Sequence, residues 1–307
     1  MRAMRMNRYG AASVIREEAV PRPAPDRGDV LIQVAATSFN PSDVGLRRGL
    51  LRAVLPLELP YTLGGDVAGT IVEVGDDVHT LAVGDRVIGR VDTGGAAAEF
   101  VTAAADTLVV APTAVPLTHA AAIPIAGLTA WQAVYEHACI TSGQRVLVNG
   151  AGGGVGGFAV QLAKHAGAHV IATASTRSAD VVRQLGADET IDYTAAPLGD
   201  ALDGPVDVIL NLVDLAGRPA AALMSLVRPG GVVVSATVAL TAPAGSSVTA
   251  VSFVARNDTG HLASLVKLVD AGAVRVDIAA SRPLADLASV HLDAESGRVR
   301  GKTILIP

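Results

Sequence analysis

One cysteine, Cys139, occurs in 307 residues. That excludes an intramolecular disulfide framework and a four-cysteine zinc lobe. Aromatic residues make up only 3% of the chain, so a small-molecule pocket is expected to be lined by aliphatic side chains. There is no long basic run and the formal net charge is −5, which argues against a nucleic-acid partner. Arg2, Arg5 and Arg8 are not followed by an apolar segment of signal-peptide length. No stretch reaches about 18 apolar residues free of glycine, proline and charge. A cytoplasmic chain without a membrane partner is therefore expected. The histidines (His79, His119, His137, His165, His169, His261 and His291) lack partners at zinc-ligand spacing. His165 and His169 are four apart, but Gly167 interrupts the helix between them. A chain of this size can bury about 75% of its unfolded surface, so neither disulfide nor metal is needed for stability.

The most informative stretch that is present runs from Arg145 to Ser175. Val146–Val148 reads as a buried parallel strand. Gly150 and Gly152–Gly154 form a tight turn, Val155–Ala166 has helical spacing, and His169–Ala174 is a second apolar, β-branched run. Strand, glycine turn, helix and strand are the first half of a dinucleotide-binding unit. Small residues there let backbone N–H groups reach a pyrophosphate, with a helix N-terminus facing the anion. A merely flexible glycine turn would not need this strand–helix context.

Before position 115 the chain reads as short strands with turn punctuation: Val30–Ala35, Gly69–Gly75 and Arg86–Gly89. From Ala120 to Ala138 the apolar spacing is helical. After Arg145, strands at Ile191–Tyr193, Val206–Val213, Gly231–Ala236 and Val248–Ala255 alternate with helical stretches at Ala179–Leu185, Pro219–Val227 and Leu262–Val269. Such alternation predicts a doubly wound parallel sheet. Beyond Gly272 come two further strands, Val274–Ile278 and Thr303–Ile306. The fold class is thus α/β, a parallel sheet domain beside a β-rich one.

The second strand of the βαβ unit ends Ala174-Ser175-Thr176-Arg177, with no carboxylate before Asp180. An NAD site needs an acid there for the ribose 2′-hydroxyl. Ser175 and Arg177 instead suit a 2′-phosphate, through a hydroxyl donor and a cationic planar fork. NADP(H) is the expected cofactor, unless Arg177 is simply a solvated surface residue.

The loop itself, Ala151-x-x-Gly154-x-x-Gly157, resembles the AxxGxxG loop of zinc-independent quinone oxidoreductases in the medium-chain dehydrogenase/reductase superfamily. The likeness extends through Asn40-Pro-Ser-Asp43, Gly64-Gly65-Asp66-Val67-Ala68-Gly69, Gly84-Asp85-Arg86-Val87, Ala120–Ala130, Leu185-Gly186-Ala187-Asp188, Pro229-Gly230-Gly231 and Gly301-Lys302, in the family's order.

The resemblance implies a GroES-like catalytic domain over residues 1–116, a Rossmann NADP-binding domain over 117–272, and a return to the catalytic domain over 273–307. It implies cofactor contacts from Ala151, Gly153, Gly154 and Val155, from Tyr193 beside the 2′-phosphate, and from Val213, Thr237 and Phe253 on the nicotinamide half. It places Asn40 and Thr129 by the nicotinamide; Asp43, in the same segment as Asn40, is a candidate cleft acid. Asn40 could equally be a turn residue before Pro41, and Asp43 a helix cap. Where zinc-dependent relatives carry a cysteine and a His-Glu pair, this chain has Asn40–Asp43 and Gly65-Asp66, so the site is expected to be zinc-free. A homodimer through Val248–Ala255 is implied as well. The expected activity is NADPH-dependent hydride transfer to quinones or α,β-unsaturated carbonyls. An enoyl-thioester reductase and a non-catalytic NADPH-binding redox sensor are the alternatives. Enoyl-thioester reductases often carry a tyrosine soon after the Asn-Asp segment; the nearest here, Tyr61, sits in a run that reads as packing.

Overall fold

The computed structural model describes residues 1–215 and 220–307. In chain order its elements are β1 (Arg2–Met6), β2 (Ile15–Ala19), β3 (Asp29–Ser38), α1 (Pro41–Arg48), β4 (Tyr61–Thr62), β5 (Asp66–Val74), β6 (Arg86–Arg90), β7 (Phe100–Ala104) and β8 (Leu108–Val110). Then follow α2 (Leu117–Ala120), α3 (Pro124–Trp131), β9 (Arg145–Asn149), α4 (Gly154–His165), β10 (His169–Thr173), α5 (Ala179–Gln184), β11 (Glu189–Ile191), α6 (Leu198–Ala201) and β12 (Val206–Asn211). The chain closes with α7 (Ala220–Met224), β13 (Val227–Ser235), β14 (Thr249–Ser252), α8 (Thr259–Asp270), β15 (Ile278–Pro283), α9 (Leu287–Glu295) and β16 (Lys302–Ile306).

Two compact units result. One comprises Met1–Ile125, Asn257–Gly272 and Ile278–Pro307; the other comprises Ala126–Arg256 and Ala273–Asp277. The first is β-rich. Its larger sheet runs β15-β16-β3-β5-β6-β8, with β7 also on β3, and a small sheet runs β2-β1-β4. Alternation along β3 and β5 turns Val30, Ile32, Val34, Val67 and Ile71 into one buried cluster with Val87 and Val101. The second unit is a six-stranded sheet, β11-β10-β9-β12-β13-β14, parallel at every pairing. Its central strands are buried on both faces, which is why they read as continuous aliphatic runs.

Several sequence expectations need correction. The strand expected at Ile191–Tyr193 is β11, Glu189–Ile191, set by its pairing with β10 in the register Ile171↔Glu189 to Thr173↔Ile191. The strand expected at Val248–Ala255 is shorter, Thr249–Ser252. Val274–Asp277 is not strand: Arg275 N–H donates to Gln161 Oε1 at 2.7 Å and Gln161 Nε2 donates to Arg275 O at 3.0 Å, so a side chain takes the backbone pairing a strand would use. The helical stretch from Ala120 to Ala138 breaks after α2 and restarts at Pro124, whose missing N–H suits a first helical turn. It continues as a wide π turn over Gln132–His137. Of the helix expected at Pro219–Val227, Ala220–Met224 is helical, Val227 opens β13, and Pro219 lies outside the described residues.

Candidate active site

Because all six strands of the second unit run the same way, their carboxyl ends share one edge. β9 ends there at Asn149 and the chain turns through Gly150–Gly153 into α4. Gly150 has φ +98°, a left-handed conformation that side chains avoid. A Cβ on Gly156, in the first turn of α4, would stand 2.2 Å from Gly150 O and 2.6 Å from Ala151 Cα. Any side chain there would therefore drive the helix off the turn. Gly157, which the AxxGxxG spacing emphasises, meets only Leu185, at 3.3 Å. Gly153 is the N-cap of α4 and no side chain caps the helix. The first N–H groups of a helix have no intrahelical acceptor, so a turn built of glycines offers them, with the positive end of the helix dipole, to an anion. This cradle fits a dinucleotide pyrophosphate; Ala151 is buried in it, Val155 is half-buried and Gly153 is exposed.

Ser175 and Arg177 follow β10 on the same edge, Ser175 half-buried and Arg177 exposed. The next carboxylate, Asp180, pairs with Arg183 at 2.9 Å. Tyr193, 54% exposed, follows β11. On the other side of β9, Val213, Thr237 and Phe253 follow β12, β13 and β14. Their groups are partly used within the unit: Val213 O accepts from Thr237 Oγ1 at 2.8 Å and from Asn211 Nδ2 at 3.0 Å, and Phe253 N–H donates to Ser235 O at 3.1 Å.

Beneath the turn lies a polar row that the sequence reading missed. Gly150 N–H donates to Thr173 Oγ1 at 2.8 Å, Thr173 Oγ1 to Asn149 Oδ1 at 3.1 Å, and Asn149 Nδ2 to Asn211 Oδ1 at 2.9 Å. Asn211 Nδ2 then reaches Val213 O, and Ser235 Oγ and Thr237 Oγ1 at 3.3 Å each. The signal was present: four apolar runs end in a single polar residue, in Asn149, Thr173, Asn211 and Ser235, and pairing aligns those ends. Thr129 lies in α3 of this unit, half-buried.

Asn40 and Asp43 belong to the β-rich unit. Asn40 is the N-cap of α1, and its N–H donates to Asp43 Oδ2 at 2.9 Å. Its amide is buried and engaged at both ends. Lys302 Nζ donates to Asn40 Oδ1 at 2.8 Å and to Phe39 O at 3.2 Å, and Asn40 Nδ2 donates to Asp66 Oδ2 at 2.8 Å. Asp66 is fully buried. It also accepts from Ser38 Oγ and, at 2.8 Å, from Ile125 N–H, and it stands 3.6 Å from Lys302 Nζ. Burial pulls the Lys302 ammonium below its ordinary value while Asp66 and Asp43 oppose the shift. Asp43 shows the reverse. Desolvation, with Asp66 adding to it, pushes its carboxyl up to about 7 against the Asn40 N–H bond and the Lys302 charge. Tyr61 is pushed up to about 12 by burial and by the charges of Asp43 and Asp92. Asp66 and Lys302 were visible in the sequence only as motif letters, because nothing local brings residues so far apart together.

Among the described residues no group of three or more His, Cys, Asp or Glu is placed to hold a metal ion. The family description "Alcohol dehydrogenase GroES-like domain" matches residues 26–113, and "Zinc-binding dehydrogenase" matches residues 185–305. The mouse mitochondrial NAD(P)H oxidoreductase is 32% identical over 90% of this chain and 81% of its own length. The chain belongs to the quinone oxidoreductase branch of the medium-chain dehydrogenase/reductase superfamily. Another relative in this superfamily, the chloroplast envelope quinone oxidoreductase homolog of Arabidopsis thaliana, is 42% identical over 67% of this chain; the match spans 64% of that protein. The Escherichia coli quinone oxidoreductase complexed with NADPH superposes over all of both chains with a TM-score of 0.89 at 25% identity. Membership accounts for the two-unit α/β architecture, a GroES-like unit and a Rossmann unit. Among the described residues no helix is long and apolar enough to cross a membrane.

Proposed function

We propose that this chain is a zinc-free, NADPH-dependent reductase that passes a hydride to quinones or α,β-unsaturated carbonyls. The observation that carries the reading is the uncapped N-terminus of α4 behind a turn whose Gly156 has no room for a Cβ. The E. coli relative, whose structure holds NADPH, supports the choice of cofactor class.

In this reading Ala151, Gly153, Gly154 and Val155 hold the pyrophosphate, and Ser175, Arg177 and Tyr193 hold the 2′-phosphate. Val213, Thr237 and Phe253 shape the nicotinamide end. NADP(H), when bound, supplies the hydride. Asn40 fixes the Asp43 carboxyl through its N–H, Asp43 holds a proton for the developing enolate or quinol oxygen, and Thr129 orients the carboxamide. A carboxyl pushed up to about 7 is half protonated near neutral pH, as a proton donor should be. The absence of a histidine, cysteine and carboxylate cluster among the described residues supports the zinc-free assignment. We assign residues 1–116 and 273–307 to the catalytic domain and 117–272 to the cofactor domain, a division that differs from the compact units, in which 117–125 and 257–272 go with the β-rich unit and 273–277 with the parallel sheet, and we place the protein in the cytoplasm. β14 is the edge strand of the parallel sheet and is followed by the exposed Val254, which supports a homodimer through that edge.

The second substrate class, an enoyl thioester, would need a proton donor of its own, and Tyr61 does not supply it: it packs on the core of the β-rich unit, and burial pushes its pKa up to about 12. NADPH oxidation against a panel of quinones, enones and enoyl thioesters tests both readings. Turnover of the first two groups is expected; turnover of enoyl thioesters alone would move the assignment, and turnover of none would end it.

A further inference from the structure

The segment after α1 turns its apolar residues outward. Leu50 is 70% exposed, Leu51 36%, Val54 80%, Leu55 46% and Leu59 38%. Five large aliphatics within ten residues is not scattered surface hydrophobicity; contiguous exposed apolar surface marks an interaction site. The segment is also held in shape. Gly49 ends α1 in a left-handed conformation against the ring of Tyr9, with φ +76°. Leu55 N–H donates to Leu51 O at 2.7 Å, closing a helical turn, and Leu57 N–H donates to Tyr9 Oη at 3.1 Å. Leu57 and Tyr9 pack on the core of the β-rich unit, so the turn is pinned at its base while the leucines and Val54 point away.

The rim is cationic although the whole chain is anionic, at −5. Arg48 and Arg52 are exposed and four residues apart, with Arg52 over the Tyr9 ring at 5.6 Å, and Arg8, which precedes Tyr9 in the sequence, is exposed as well. Glu58 is the one acid between positions 44 and 60. Leu50/Val54 and Leu51/Leu55 share the four-residue spacing of the arginines. An aliphatic ridge flanked by arginines matches the interface of an anionic bilayer, acyl chains beneath and phosphates beside. A second copy meeting the ridge face to face would set arginine against arginine. We propose that residues 48–59 form a docking ridge for an anionic lipid bilayer, on which the protein lies without spanning it. This revises the expectation of no membrane partner, which rested only on the lack of a spanning segment, and it does not depend on the proposed chemistry.

The test is sedimentation of the full chain with phosphatidylcholine vesicles, with and without phosphatidylglycerol, at low and high salt, with no cofactor or substrate present. Binding is expected to the anionic vesicles only, and to fall with salt. The pair L50D and V54D should abolish it; both positions are exposed, and an unchanged circular dichroism spectrum confirms the fold. The pair R48Q and R52Q should weaken it about 30-fold, since each arginine near such a surface contributes about 1 kcal/mol. Failure of the unmutated chain to sediment with anionic vesicles at low salt overturns the proposal. So does light scattering that shows an oligomer dissolved by L50D and V54D in a protein that ignores vesicles.

Discussion

Replacing His291 with phenylalanine should make the protein more resistant to acid. His291 lies on α9, fully buried, edge-on to Phe39 at 5.1 Å, with neither ring nitrogen hydrogen-bonded. Burial, aided by the charge of the buried Arg47 on α1, pushes its pKa down from 6.5 to about 3. The folded protein therefore keeps this imidazole neutral, whereas the unfolded chain protonates it below about 6.5. As pH falls through that value the unfolded state gains a proton the folded state refuses, and stability drops until about pH 3. From the two pKa values the loss attributable to this residue is about 2 kcal/mol at pH 5 and negligible at pH 8. Asp43 acts in the opposite direction. Its carboxyl is pushed up to about 7, so the folded state takes a proton first as pH falls, and the penalty for holding it charged fades between pH 7 and 3.8. The raw acid profile is thus a sum, and only a difference between variants isolates His291. Urea unfolding of the unmutated protein and H291F at pH 8 and pH 5 supplies it. The variant should gain about 2 kcal/mol relative to the unmutated protein on going from pH 8 to pH 5. An equal difference at both pH values, or a shift against the variant, would refute the account.

Three further outcomes follow from the site. Gly156→Ala should remove the NADPH-induced rise in melting temperature, because its Cβ would stand 2.2 Å from Gly150 O; a normal NADPH shift in the variant would contradict the cradle. Arg177→Ala should raise the NADPH Kd about 10- to 100-fold, the loss of a charged hydrogen bond, and leave NADH little changed. Fluorescence titration of both cofactors checks this, and equal effects on the two would refute it. If Asp43 supplies the proton, kcat should fall as pH rises through about 7. Asp43→Asn should then lower kcat about 100-fold or more and erase that limb, with KM for NADPH held; an unaltered pH profile would remove Asp43 from the mechanism.

What the sequence disclosed followed the reach of its interactions. β9, β10 and β12 were legible to within one or two residues because they are buried on both faces, and burial writes itself as an aliphatic run. β11 was misplaced by two residues, since its position depends on register with β10 and on Asp188, whose carboxylate accepts from Val170 N–H at 2.7 Å. Val274 looked like strand because it is buried, but Gln161 had already taken the neighbouring backbone. The glycine turn was readable as a motif; that Gly156 carries its steric demand was not, since that follows from where Gly150 O points. Around Asn40 the motif letters were visible, but the contacts were not. Lys302 reaches Asn40 across 262 positions, a separation at which only the folded sheet decides.

The polar row at the carboxyl edge has a direction. It starts at a backbone N–H, Gly150, and finishes at a backbone carbonyl, Val213, and Thr173, Asn149 and Asn211 between them each accept on one side and donate on the other. Such an arrangement is vectorial, since every dipole in it is aligned with the next. Only a residue that can both give and receive fits an interior place. An aspartate at 149 or 211 would have the right shape, yet it would stop the sequence of donors and set two acceptors face to face. The two asparagines are therefore defined by grammar as much as by size, and the turn at one end and the loop after β12 at the other share a single hydrogen-bond syntax.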